Sequence, residues 1–174
     1  MSTIVVEKRE HQTADPCFTR FWAEWSEYIL ELTDMTEAEV ATGYRELLTL
    51  LREKGSFELW RGMSVSPGWL GMWSPSTSPL GVYWTEERYI SESFETAISV
   101  CDERFTWLEN TERPGKLLLR ARVTFDAVDV AATIATQLAS AEAEVRLKPE
   151  SVIELLEVHL DGNCIFEGVA SALA

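Results

Sequence analysis

Apolar side chains in the first third of the chain recur every three to four residues. Phe18, Phe21, Trp22, Trp25, Ile29 and Leu32 would fall on one stripe of a helix. Asp15 followed by Pro16 supplies an N-cap and a first-turn proline for it, and Thr33-Asp34 breaks the pattern. A second helix is predicted from Thr36-Glu37-Ala38-Glu39, which has the spacing of a capping box. It places Val40, Tyr44, Leu47, Leu48 and Leu51 on one side and stops at Gly55.

Beyond Gly55 the period shortens toward two. Residues 57–65 alternate in part and read as a strand, and residues 66–80, rich in Pro, Gly, Ser and Thr, read as a loop. Residues 81–85 form a short β-rich run. Thr85 then stands where it can cap a helix whose buried side would be Tyr89, Ile90, Phe94, Ala97 and Ile98. After a turn over 110–115, Leu117, Leu119, Ala121, Val123 and Phe125 alternate with Leu118, Arg120, Arg122 and Thr124. Residues 136–141 read as a loop, 144–147 and 152–160 as strands, and Asp161-Gly162 as a hairpin turn into Cys164-Ile165-Phe166. The expected fold is α+β in one domain of 174 residues. Residues 1–55 form its helical part and 56–174 its β-rich core, with a mostly antiparallel arrangement.

Composition narrows the chemistry. A length of 174 residues with 46% hydrophobic content can bury a core unaided. No apolar run reaches the roughly 18 residues of a membrane span, and the first residues lack the features of a signal peptide, so a cytoplasmic protein with no membrane partner is expected. Cys17, Cys101 and Cys164 lie far apart with no Cys-x-x-Cys pair, which points to reduced thiols and away from a metal site. His11 and His159 are the two histidines, too few and too poorly placed to suggest a Ser-His or Cys-His hydrolase. The net charge of −14 argues against nucleic acid, whose phosphates call for clustered cations. Twelve acids and six bases in residues 1–60, against seventeen and nine in 61–174, show that the acidity is spread along the chain rather than gathered in a tail.

Three short segments carry candidate chemistry. Arg61 sits in an apolar strand and is followed by Gly62, which lets a ligand approach the backbone. Its guanidinium fork matches a diphosphate and stays charged at any working pH, although pairing with one of 29 acids is the plainer role. Glu142 and Glu144, two apart on a strand, would share a face, where like charges repel unless a cation or a function compensates. Between these segments, Tyr83-Trp84-Thr85 offers two aromatic rings and a hydroxyl on a strand leading into a helix. The rings can stack on a planar ligand or pack in the core.

In this order and placement, Arg61-Gly62, Tyr83-Trp84-Thr85 and Glu142-Ala143-Glu144 resemble the ADP-ribosyltransferase family over residues 57–160. The family commonly has Ser-Thr-Ser as its middle motif. A literal Ser76-Thr77-Ser78 exists here, but Pro75 and Pro79 flank it, so Tyr83 to Thr85 is the segment aligned with the motif. The resemblance implies a two-sheet catalytic core that binds NAD as substrate, without a metal. Arg61, Gly62, Tyr83, Trp84 and Thr85 would contact the dinucleotide. Glu144 would hold the ribose and stabilise the oxocarbenium-like state as nicotinamide departs, and Glu142 would serve the acceptor. The implied activity is mono-ADP-ribosylation of a protein acceptor, most simply at arginine, with the preceding segment 136–141 facing the target. NAD glycohydrolysis and an inactive relative are the neighbouring alternatives. An acidic inhibitor that covers a basic surface is the alternative from another class.

Overall fold

A computed structural model describes residues 15–65, 80–92, 115–140 and 143–174. The chain opens with two helices, α1 (Pro16–Leu32) and α2 (Glu37–Lys54). Both begin as their sequences dictate. The Asp15 carboxylate accepts the amide of Cys17 with Pro16 in the first turn, and Thr36 and Glu39 form the reciprocal capping box. Gly55 closes α2 at φ 66°, a left-handed conformation that suits glycine. Phe21 and Ile29 of α1, and Val40, Tyr44, Leu48 and Leu51 of α2, are buried. Phe21 meets the Tyr44 ring at 4.5 Å between centroids, and burial pushes the Tyr44 phenol up to about 12. Leu32, expected on the apolar stripe, is 59% exposed because the helix ends there.

The sheet follows: β1 (Ser56–Val65), β2 (Tyr83–Thr85), β3 (Gly115–Thr124), β4 (Glu144–Arg146), β5 (Val152–Leu160) and β6 (Asn163–Leu173). All neighbours are antiparallel, in the spatial order β4-β2-β1-β3-β5-β6. The described residues therefore form one six-stranded sheet, not the two sheets expected from the family resemblance. Every strand among the described residues belongs to this one sheet. α+β is correct. Among the described residues no helix is long and apolar enough to cross a membrane.

A third helix, α3 (Val130–Ala139), follows a 3-10 turn at Phe125–Ala127 and replaces part of the loop expected over 136–141. Its N-cap is Asp129, which accepts the Ala132 amide. Ala132, Thr133, Ile134 and Ala135 are buried in succession, so no polar face marks the helical period. α3 packs against α1, α2 and β4.

The helices cover one face of the sheet. Phe57 and Leu59 of β1 align with Val123 and Ala121 of β3, and all four are buried with the helix residues in one continuous core. The other face is polar. Across β1, β3 and β5, Arg120 bridges Glu58 and Glu157, Arg122 bridges Glu58 and Glu154, and His159 lies 3.0 Å from Glu157. On this face Trp60 lies between the guanidinium groups of Arg88 and Arg120, at 5.0 and 5.7 Å. A backbone bond also ties the segment before β2 to the last strand: the Leu80 amide donates to the carbonyl of Leu173 at the end of β6 (2.8 Å).

Candidate functional site

The candidate residues gather where β4, β2 and β1 run side by side. Trp60 is aligned with Thr85, and Thr85 with Glu144, so these three form one row across the strands on the polar face. Arg61 lies one residue further along β1, aligned with Leu119. Alternation sends its side chain off the adjoining pleat, toward the helix-covered face. Its Nη1 donates to the main-chain carbonyl of Tyr83. The Nε is buried and has no hydrogen-bond partner among the described residues.

Gly81 makes room for this arrangement. It adopts φ 88°, and a Cβ placed there would stand 2.6 Å from Nη2 of Arg61. The sequence pointed to Gly62 as the close-approach glycine; Gly62 is half-buried and aligned with Leu118, and the guanidinium packs on Gly81. No local signal in the sequence connects Gly81 with Arg61, because the contact depends on the β1–β2 pairing. Burial is the main influence on the guanidinium and pushes its pKa below the ordinary value. The Glu144 charge, followed by Tyr83, acts in the opposite sense. Arg61 and Glu144 are therefore within electrostatic reach although they leave different pleats.

The middle motif divides by burial. Trp84 is 2% exposed, aligned with Val145 in the core, and its Nε1 donates to the Gly81 carbonyl at 2.7 Å. Its ring is enclosed by the protein, so of the two aromatic side chains Tyr83 is the open one. Tyr83 is 49% exposed and carries the Arg146 guanidinium over its ring at 4.9 Å. Thr85 is buried, and its Oγ1 accepts the Glu87 amide at 3.1 Å before the chain turns helical at 88–92. The capping role read for Thr85 is thus present. Tyr89, expected on the buried side of that helix, is 66% exposed, and Ile90 is half-buried. Phe94, Ala97 and Ile98 lie outside the described residues.

β4 begins at Glu144, which is half-buried. Ala143 before it has φ 47°, a left-handed conformation uncommon for a residue with a Cβ. Glu142 and Ala141 lie outside the described residues, as do His11, Cys101 and the literal Ser76-Thr77-Ser78. Cys17 and Cys164 are exposed free thiols. Among the described residues no group of His, Cys, Asp and Glu is arranged to hold a metal.

One feature of this corner escaped sequence reading. The β4 backbone is gripped by side chains of α3, with Gln137 donating to the Glu144 carbonyl and Thr133 bound to Arg146. The N-cap pattern at Asp129 was the available signal for that helix. Comparison with protein-family models, curated proteins and solved structures finds no match to the chain.

Proposed function

We propose that the β4-β2-β1 corner binds NAD and that the protein transfers ADP-ribose to a protein acceptor with release of nicotinamide. One observation supports this reading above the others: Arg61 on β1 and Glu144 on β4, far apart in sequence, are brought to one corner of the sheet with β2 between them, where the Glu144 charge acts on the Arg61 guanidinium. In this reading Arg61 takes the diphosphate, exchanging its bond to the Tyr83 carbonyl for phosphate oxygens. The open ring of Tyr83 offers a stacking surface for nicotinamide. The Glu144 carboxylate holds the ribose and opposes the positive charge that develops as the glycosidic bond lengthens. Glu142 keeps the role the family resemblance gives it, orienting and deprotonating the acceptor.

Labelled NAD tests this directly. The wild type, mixed with candidate acceptor proteins, is expected to release nicotinamide and to label an acceptor at arginine. Glu142→Gln is expected to lose labelling while keeping much of the slow hydrolysis, because water needs little activation to trap an oxocarbenium-like species. Nicotinamide release without any acceptor labelling would make the protein an NAD glycohydrolase. No release at all would remove the enzymatic reading and favour the acidic binding protein.

A further inference from the structure

β4 is three residues long and occupies an edge of the sheet, with β2 as its one neighbouring strand among the described residues. Such an element has little of its own to fix its position. Its outward polar groups are nevertheless engaged. The Glu144 carbonyl accepts from Gln137 Nε2 at 3.0 Å. The Arg146 amide donates to Thr133 Oγ1 at 2.9 Å, and that hydroxyl lies 3.2 Å from the Arg146 carbonyl. The same carbonyl accepts the Asp129 amide at 2.8 Å.

Thr133 and Gln137 are four residues apart on α3 and so share one face of the helix. Glu144 and Arg146 are two apart on β4 and so turn their backbone groups the same way. Two side chains at helical spacing thus meet two residues at strand spacing, and α3 takes the place of a seventh strand. Thr133 is fully buried, so its hydrogen bonds are shielded from water.

We propose that Gln137 is the positioning residue for Glu144, and that Thr133 fixes the register in which Gln137 can act. The chain turns through the left-handed Ala143 immediately before Glu144, and a peptide after such a turn needs an external anchor to keep one orientation. Gln137 supplies that anchor on the first carbonyl of the strand. Holding this carbonyl sets the direction in which the Glu144 side chain leaves the backbone, and with it the distance between its carboxylate and Arg61. The activity arm of the test rests on the function proposed above; the titration arm does not.

The first measurement follows the side-chain carboxyl resonance of Glu144 against pH, assigned by its disappearance in Glu144→Gln. Gln137→Leu removes the donor and is expected to move the midpoint by about half a pH unit or more, as the carboxylate changes its distance from Arg61. Thr133→Ser keeps the hydroxyl and is expected to retain the wild-type midpoint. The second measurement is nicotinamide release. Gln137→Leu is expected to lower kcat about tenfold with KM within about twofold, because orientation is lost while binding contacts remain.

Gln137→Glu covers the case in which Gln137→Leu does not fold, since its size is unchanged. Its carboxylate has no proton to offer the Glu144 carbonyl, whereas its protonated form does. Nicotinamide release by Gln137→Glu, relative to the wild type at each pH, is therefore expected to recover as the pH is lowered. An unchanged Glu144 midpoint in Gln137→Leu, or a relative rate for Gln137→Glu that does not vary with pH, would overturn the positioning role. If the wild type releases no nicotinamide, the functional reading falls and the titration alone decides the role of Gln137.

Discussion

At one edge of the sheet, β4 turns its carbonyls and amide toward α3, where Gln137, Thr133 and the Asp129 amide receive them. At the other edge, β6 is eleven residues long and largely exposed. Its pairing with β5 slips twice. Leu156 stands against both Gly168 and Val169, and Ile165 is an extra residue between the pairs Val158–Phe166 and His159–Cys164. These bulges interrupt the regular backbone pattern that another strand would need for pairing. The short edge is held by a helix and the long edge is irregular. An edge held in this way can keep a carboxylate in a fixed place, whereas a bulged edge tolerates change. Candidate chemistry lies at the first.

The largest expected difference between the edges is in activity. Glu144→Gln at the β4 edge should reduce nicotinamide release by on the order of a hundredfold, the usual cost of losing a group that acts mainly in the transition state. Glu167→Gln at the β6 edge should leave the rate unchanged. Equal losses in the two variants would remove the functional distinction.

Stability should follow the same division. Thr133→Val preserves shape but leaves the Arg146 amide without its hydroxyl partner at a fully buried position. A loss of about 1–3 kcal/mol in unfolding free energy is expected from chemical denaturation. A loss within experimental error would show that water can reach this edge and that α3 does not seal it.

A smaller change of opposite sign is expected at Ala143. Glycine adopts positive φ without the Cβ clash, so Ala143→Gly relieves about 1–2 kcal/mol of strain. The extra freedom of glycine in the unfolded chain returns about 0.5–1 kcal/mol. A net gain of about 0–1.5 kcal/mol in denaturant stability should result. Destabilisation would mean that Ala143 makes contacts that outweigh its backbone strain.

The smallest effect is expected on β6. Val169 is 71% exposed and stands at a bulge, so Val169→Lys should change the unfolding free energy by less than about 0.5 kcal/mol. A larger loss would show that this edge is also packed against something.

Legibility in the sequence followed the range of the interactions. α1 and α2 could be read because Asp15-Pro16, Thr36 with Glu39, and Gly55 act within a few residues of themselves. β3 could be read because one of its faces is buried and the other carries Arg120 and Arg122. α3 was not read from the sequence, because burial of four consecutive residues erases the helical period. The single sheet could not be read either, since the pairing of Thr85 with Glu144 joins segments separated by β3 and α3. At the candidate site, sequence order suggested Arg61, Thr85 and Glu144, but not the different pleats they leave, the fit of Arg61 onto Gly81, or the grip of Gln137.

The bond between the Leu80 amide and the Leu173 carbonyl has a dynamic consequence. Leu80 precedes Gly81, on which the Arg61 guanidinium rests, and Leu173 ends the last strand. Local opening at the end of β6 would free Leu80 and loosen the floor beneath Arg61, even though β6 and β2 lie in different parts of the ladder order. Amide exchange at Leu80 would therefore report on both places at once: a ligand that clamps Arg61 should slow it, and fraying of β6 should hasten it.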